Sequence, residues 1–236
     1  MVDDFSQDDT AEVVTSYADQ DKRISLRRLE RHSGLPAARN AGVRAARAEL
    51  IFFCEDDIVF HDEYALKILV DTYFDLKEHR EVGALGSRLI GSGYDWLNAV
   101  VLIGPITGCI YHNFSYDPQK VIEVPMLHAC SLIPRKIFHR IGGYDEKLYV
   151  GTYAKEEVDL YYRIRKGGYR LFFQPKSIIY HNPINCGGCR TSNLLKTYYY
   201  EFRNSILFFS RFYGIPLSAR MLIYPFLRIA FPKEAL

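Results

Sequence analysis

The 236-residue sequence contains no uninterrupted apolar run near the roughly 20 residues that a membrane-spanning helix requires, which excludes an obvious transmembrane segment. A basic leader followed by an apolar stretch is also missing, since the first residues are acidic, and the expectation is a cytoplasmic protein. Neither sign of charge is in excess. Thirty Lys and Arg against 28 Asp and Glu leave a net charge of +2, too little for a protein that holds nucleic acid on a broad basic surface. Cysteine is sparse and odd in number, at Cys54, Cys109, Cys130, Cys186 and Cys189, mostly within apolar segments, which suits reduced thiols better than a disulfide framework. Cys186-Gly187-Gly188-Cys189 is a lone C-x-x-C with no second pair at zinc-finger spacing and no thioredoxin-like helix after it, so a surface loop is the favoured reading. What is present, 48% hydrophobic and 25% charged residues, is ordinary globular composition for one well-buried α/β domain.

Strand and helix patterns alternate along the chain. A strand is expected over 24–29, then a helix over 37–48 opened by Pro36, and a strand at 50–54. A second helix is expected from Asp62, because Ala65, Ile68, Leu69, Thr72, Tyr73 and Leu76 fall on one helical face. Further strands are expected over 82–90 and 126–133, a short helix from Pro134 to Ile141, and a helix over 155–166 stopped by Gly167-Gly168. Two short strands, 170–174 and 177–180, follow. The glycine-rich stretch 91–113 predicts loops and short strands.

The run Leu50-Ile51-Phe52-Phe53-Cys54-Glu55-Asp56-Asp57 is the most informative in the sequence. An apolar strand ending in three adjacent carboxylates concentrates negative charge at a sheet edge, and such an edge seats a hard divalent cation such as Mg²⁺ or Mn²⁺. The competing reading is that Asp56 or Asp57 merely caps a following helix.

Six segments in order carry a resemblance: VDDFSQDDT at 2–10, GLPAARNAGVRAA at 34–46, ELIFFCEDDIVF at 49–60, PRKIFHRIGGYDE at 134–146, KEEVDLYYRIRKGG at 155–168 and SIIYH at 177–181. Together they resemble a family 2 glycosyltransferase with the GT-A fold, a Rossmann-like α/β sheet flanked by helices. YYYEFRN at 198–204 is similar to a segment downstream of the catalytic domain in rhamnosyltransferase-like members. The resemblance implies a catalytic domain over 1–190 and a C-terminal helical extension over 191–236.

It also implies roles. Glu55-Asp56-Asp57 would be the metal motif, with Glu55 and Asp57 at the cation and Asp56 near the ribose or sugar of a nucleotide-sugar donor. A cation at the leaving diphosphate would stabilise its growing charge. An inverting transfer needs a carboxylate to take the proton of the acceptor hydroxyl, and Glu157 aligns with the family's base. Glu157 stands where aspartate is frequent, Lys155 where glycine is frequent, and Glu55 where most members carry aspartate. Asp4 aligns with an acid that binds the nucleotide base, Arg39 with an arginine close to the nucleotide site, and His181 with a histidine near the diphosphate.

Family members carry a strand, a helix and most of a second strand ahead of the VDD turn. About 30 residues, one βαβ unit, are therefore expected to be missing from the N-terminus. Beyond residue 190, Leu195, Tyr198, Tyr199, Phe202, Ile206, Phe209 and Tyr213 recur at helical spacing, and Met221 to Phe231 adds an apolar run. Arginines at 203, 211, 220 and 228 accompany them. This stripe suits a peripheral helix lying on anionic lipid and equally suits packing on the catalytic domain. The expected activity is transfer of a sugar to a saccharide or lipid-linked acceptor, with an inactive, truncated relic serving as a binding module as the alternative. A sugar-nucleotide pyrophosphorylase would share the acidic metal site, but its glycine-rich phosphate loop is not seen.

Overall fold

The computed structural model describes residues 1–103, 110–182 and 193–214. In chain order the elements are β1 (Val2–Asp3), α1 (Thr10–Gln20), β2 (Arg27–Arg28), α2 (Leu35–Ala45), β3 (Leu50–Phe52), β4 (Ile58–Phe60), α3 (Ala65–Lys77), β5 (Val82–Ile90), β6 (Val101–Ile103) and β7 (Ile110–His112). They continue with β8 (Ile122–Glu123), β9 (Ser131–Pro134), α4 (Arg135–Ile141), α5 (Glu156–Lys166), β10 (Arg170–His181) and α6 (Leu194–Tyr213).

The main sheet has the order β3-β9-β5-β10-β4, with β8 beside the first half of β10. β5 and β10 run parallel at its centre, while β3, β4, β8 and β9 pair antiparallel with their neighbours. Alternation along β10 feeds two layers. Leu171 and Phe173 join Ala84, Ile137, Phe138, Leu160 and Ile164 in the larger core, packed under α4 and α5. Phe172 joins Leu69, Tyr73, Val82 and Leu85 in a second core under α3. β1 and β2 form a separate parallel pair, and β6 and β7 a hairpin.

Several elements differ from the sequence expectations. Of the expected strand 126–133 only residues 131–133 pair, in a strand that runs on to Pro134. Ahead of it, His128 Nδ1 accepts the Cys130 N–H at 3.2 Å and its Nε2 donates to the Ser87 carbonyl at 2.7 Å, which bends the backbone out of a ladder. The two strands expected over 170–180 are one strand with a register shift between Gln174 and Ile178. Pro175 has no N–H to give the ladder, and Gln174 Oε1 accepts from the Lys176 N–H instead. The strand expected over 24–29 shrinks to two residues. α1 has no counterpart in the sequence expectations. Only Val14 of its eleven residues is buried, so no apolar stripe announces it.

α6 begins at Asn193, whose side chain accepts the Lys196 N–H. Its second half docks on the domain: Phe208 and Phe209 are buried with Tyr149, and fully buried Asn204 donates to the Val150 carbonyl at 3.1 Å. Arg203 donates to the Leu148 carbonyl, and Arg211 pairs with Asp145 and Asp159. Of the two readings of the C-terminal stripe, packing therefore accounts for its second half, and these two arginines are engaged with protein. No described helix is long and apolar enough to cross a membrane. Cys54 and Cys130 are free thiols. Cys109, Cys186 and Cys189, and the apolar run 221–231, lie outside the described residues.

Candidate active site

The acid triplet occupies the turn between β3 and β4, so neither Asp56 nor Asp57 caps a helix. Asp62 serves the turn that leads into α3, accepting the Tyr64 N–H at 2.8 Å. β4 returns antiparallel along β10 with Ile58 opposite His181. That register puts Asp57 one residue from the pairing, and its carbonyl accepts the Asn182 N–H at 2.7 Å. The Asp57 Oδ2 then lies 3.3 Å from His181 Nε2. Glu55, Asp57 and His181 each offer one ligand atom, all within 4.8 Å of one another. Two hard carboxylate oxygens and one imidazole nitrogen make a donor set suited to Mn²⁺ or a related divalent ion. Asp56 is exposed on the same turn.

Arg39 ties this turn to α5. Its guanidinium is nearly buried and faces three glutamates: Nη1 donates to Glu156, and Nη2 reaches Glu55 Oε1 and Glu157 Oε1, each at 3.3 Å. The Tyr144 ring lies 5.2 Å from the guanidinium carbon. Glu156 and Glu157 sit in the first turn of α5, where the helix dipole favours anions. Burial, reinforced by the charge of Glu157, pushes the Glu55 carboxyl up to about 7, with Arg39 opposing the shift. Burial also raises Glu156 well above the usual carboxylate range, and its Oε2 has no hydrogen-bond partner.

Both approaches to this cluster are locked by backbone geometry. Asp4 accepts the Ser33 and Gly34 N–H groups at 2.7 Å each and lies 2.9 Å from His32 Nδ1, so its carboxylate anchors the start of α2. Gly34 has φ of +90°, and a Cβ there would fall 2.2 Å from the Tyr153 hydroxyl, so only glycine fits. Lys155 precedes α5 with φ of 75°, in the left-handed region, which accounts for glycine being frequent at this place in the family. Asn40 on α2 bonds both the N–H and the carbonyl of Tyr144 at 2.9 Å, holding the ring beneath Arg39.

The structure thus brings Glu55, Asp57, Arg39 and Glu157 of the sequence candidates together with His181. It places Asp56 on the rim and engages Asp4 at the head of α2. Sequence reasoning missed Glu156 and Tyr144. The adjacent acids 156 and 157 were visible, but nothing local says that both face Arg39 or that Glu156 is the buried one.

A profile of glycosyl transferase family 2 matches residues 1–142. The chain belongs to this family. The O-antigen biosynthesis protein RfbC of Myxococcus xanthus is 28% identical over 159 residues, covering 62% of this chain and 12% of that protein. The crystal structure of GalNAc-T7 with UDP, GalNAc and Mn²⁺ aligns with a TM-score of 0.63 at 17% identity, covering 89% of this chain and 43% of that one. The mannosyltransferase PcManGT from Pyrobaculum calidifontis, in complex with GDP-Man and Mn²⁺, aligns with a TM-score of 0.58 at 17% identity, covering 99% of this chain and 67% of that one. The fold of this family 2 chain is GT-A, and the chain spans only a small part of the length of its Myxococcus relative.

Proposed function

We propose that this chain carries the catalytic site of an inverting, divalent-metal-dependent glycosyltransferase, over residues 1–190. It would move a sugar from a nucleotide-sugar donor to a hydroxyl of a saccharide or lipid-linked acceptor. The observation that carries this reading is the convergence of Glu55, Asp57 and His181 on one point, joined to Glu157 through Arg39. Glu55, Asp57 and His181 would hold a divalent cation, which when bound would neutralise charge on the departing nucleoside diphosphate. Asp56, exposed beside them, would meet the ribose or sugar. Glu157 takes the proton of the acceptor hydroxyl as its oxygen attacks the anomeric carbon from the face opposite the diphosphate. Arg39 holds the Glu157 carboxylate in place, and buried Glu156 holds Arg39. The likeness to proteins solved with UDP or GDP-Man and Mn²⁺ supports the donor class.

Thermal shift of the purified chain with UDP, GDP, dTDP and CMP, each with and without Mn²⁺, tests the reading beside Asp57→Ala. Stabilisation by one nucleotide that requires Mn²⁺ and vanishes in the variant is the expected result. A cooperative melt that no nucleotide moves would overturn the donor site and favour a binding relic.

A further inference from the structure

The chain has one tryptophan, and it is turned outward. Trp96 is 52% exposed, with its ring centroid 5.8 Å from that of Tyr94 and 5.9 Å from that of Tyr111, while Tyr94 and Tyr111 are 6.0 Å apart. The three rings therefore form a nearly equilateral cluster, tilted to one another by 45° to 63°. None of the catalytic steps above uses them.

The cluster is preorganised. The Tyr94 N–H donates to the His112 carbonyl at 2.8 Å, and the Leu97 N–H closes a turn on the Tyr94 carbonyl at 3.0 Å. Buried Asn113 donates to the Leu97 carbonyl at 2.9 Å. This turn sends Leu97 into the interior and leaves Trp96 outside. Gly93, with φ of +108°, lets the two backbones meet: a Cβ there would lie 2.4 Å from the His112 carbonyl oxygen. Such rigidity lowers the ordering cost of binding.

The cluster is also rooted beside the candidate active site. β5 ends at Ile90, paired with Tyr180, one residue before His181. A Cβ on Gly91 would sit 3.4 Å from the His181 carbonyl oxygen. The segment bearing Tyr94 and Trp96 thus leaves the carboxyl ends of the two parallel strands, where ligands of open α/β sheets bind.

We propose that Tyr94, Trp96 and Tyr111 form a stacking platform for a saccharide ring of the acceptor. The inference rests on the transferase reading and extends it to the acceptor side. Aromatic faces carry negative potential that attracts the polarised C–H groups of a pyranose, and the indole N–H of exposed Trp96 offers a polar group at the rim to its hydroxyls. Exposed Asp95, between Tyr94 and Trp96 in the sequence, disfavours an anionic lipid surface as the occupant.

Because Trp96 is the sole tryptophan, emission excited to the red of the absorption of the 18 tyrosines reports this place alone. The full chain with Mn²⁺ is titrated with neutral saccharides: chitotetraose, a mannan, a rhamnan and dextran. At least one is expected to change the emission saturably and to shield Trp96 from acrylamide. Tyr111→Ala should weaken that response at least tenfold, and calorimetry should show the same loss for Trp96→Ala, both variants melting as the parent does. Nucleotide stabilisation with Mn²⁺, read on the same samples, should be unchanged in both. The absence of a saturable response to any of the four saccharides, or a response that both variants keep, overturns the platform. If saccharides bind while no nucleotide does, the platform stands and the transferase reading falls.

Discussion

α5 carries two buried acids that have met opposite fates. Asp159 is fully buried and satisfied: it accepts from the Tyr149 hydroxyl at 2.9 Å, from Arg163 Nε at 2.5 Å and from Arg211 Nη1 at 2.9 Å. One carboxylate there faces two guanidinium groups. Three positions earlier, Glu156 shares a single guanidinium, Arg39, with Glu55 and Glu157, and keeps one oxygen unpartnered. The first arrangement is a joint, fastening α6 to the domain. The second sets three carboxyl groups around one guanidinium, a surplus of acids that suits the proposed cation site. The same helix therefore carries a joint on one turn and the proposed catalytic cluster on another, and the ratio of acids to arginines tells them apart.

Removing the shared cation should break the second arrangement most severely. Arg39→Met leaves three carboxylates facing one another without a counter-charge, and the expected loss is about 3–5 kcal/mol of unfolding free energy by urea denaturation. A loss below about 1 kcal/mol would mean that solvent already screens the cluster. Glu157→Gln should lower kcat by roughly 100-fold to 10,000-fold on a donor and acceptor pair that supports turnover. The same variant should keep its nucleotide response to Mn²⁺, and an unchanged rate would remove Glu157 as the base.

The joint should respond in stability alone. Arg211→Ala leaves Asp159 its bonds to Tyr149 and Arg163, so a cost of about 1 kcal/mol is expected, with the nucleotide response intact. A change in that response would show that α6 reaches the active site energetically.

The mildest effect lies in pH. Glu55 titrates at about 7 in the metal-free fold, against 4.5 as its ordinary value in an unfolded chain. Between those values the folded state holds the extra proton, so this group's contribution to stability declines as pH rises from about 5 to 7. Glu55→Gln should flatten that decline in thermal melts of metal-free protein. In the parent, Mn²⁺ should stabilise more at about pH 7.5 than at about pH 5.5, because the ion competes with the proton. A Mn²⁺ effect independent of pH would take Glu55 out of the ligand set.

Much of this was legible in the residues. β5, α4 and α5 lie within a residue or so of their expected positions, because their apolar periodicity and terminal glycines are local signals. The acid run at the end of β3 is equally local. Elements whose conformation depends on distant partners were misjudged: the bent 126–130 segment obeys a bond from His128 to Ser87, 41 residues away, and α1 shows too little buried face to leave a pattern.

By itself the sequence determined the family, the succession of strands and helices and the residue types at the candidate site, all of which rest on order along the chain and on short-range periodicity. Tertiary structure alone decided that Arg39 would face Glu156, 117 residues on, that β4 would pair with β10 in the register that sets Asp57 beside His181, and that Arg211 would close on Asp159. Those pairings follow from how whole elements pack, and the free energy that selects them is spread over three buried clusters rather than written in any one segment.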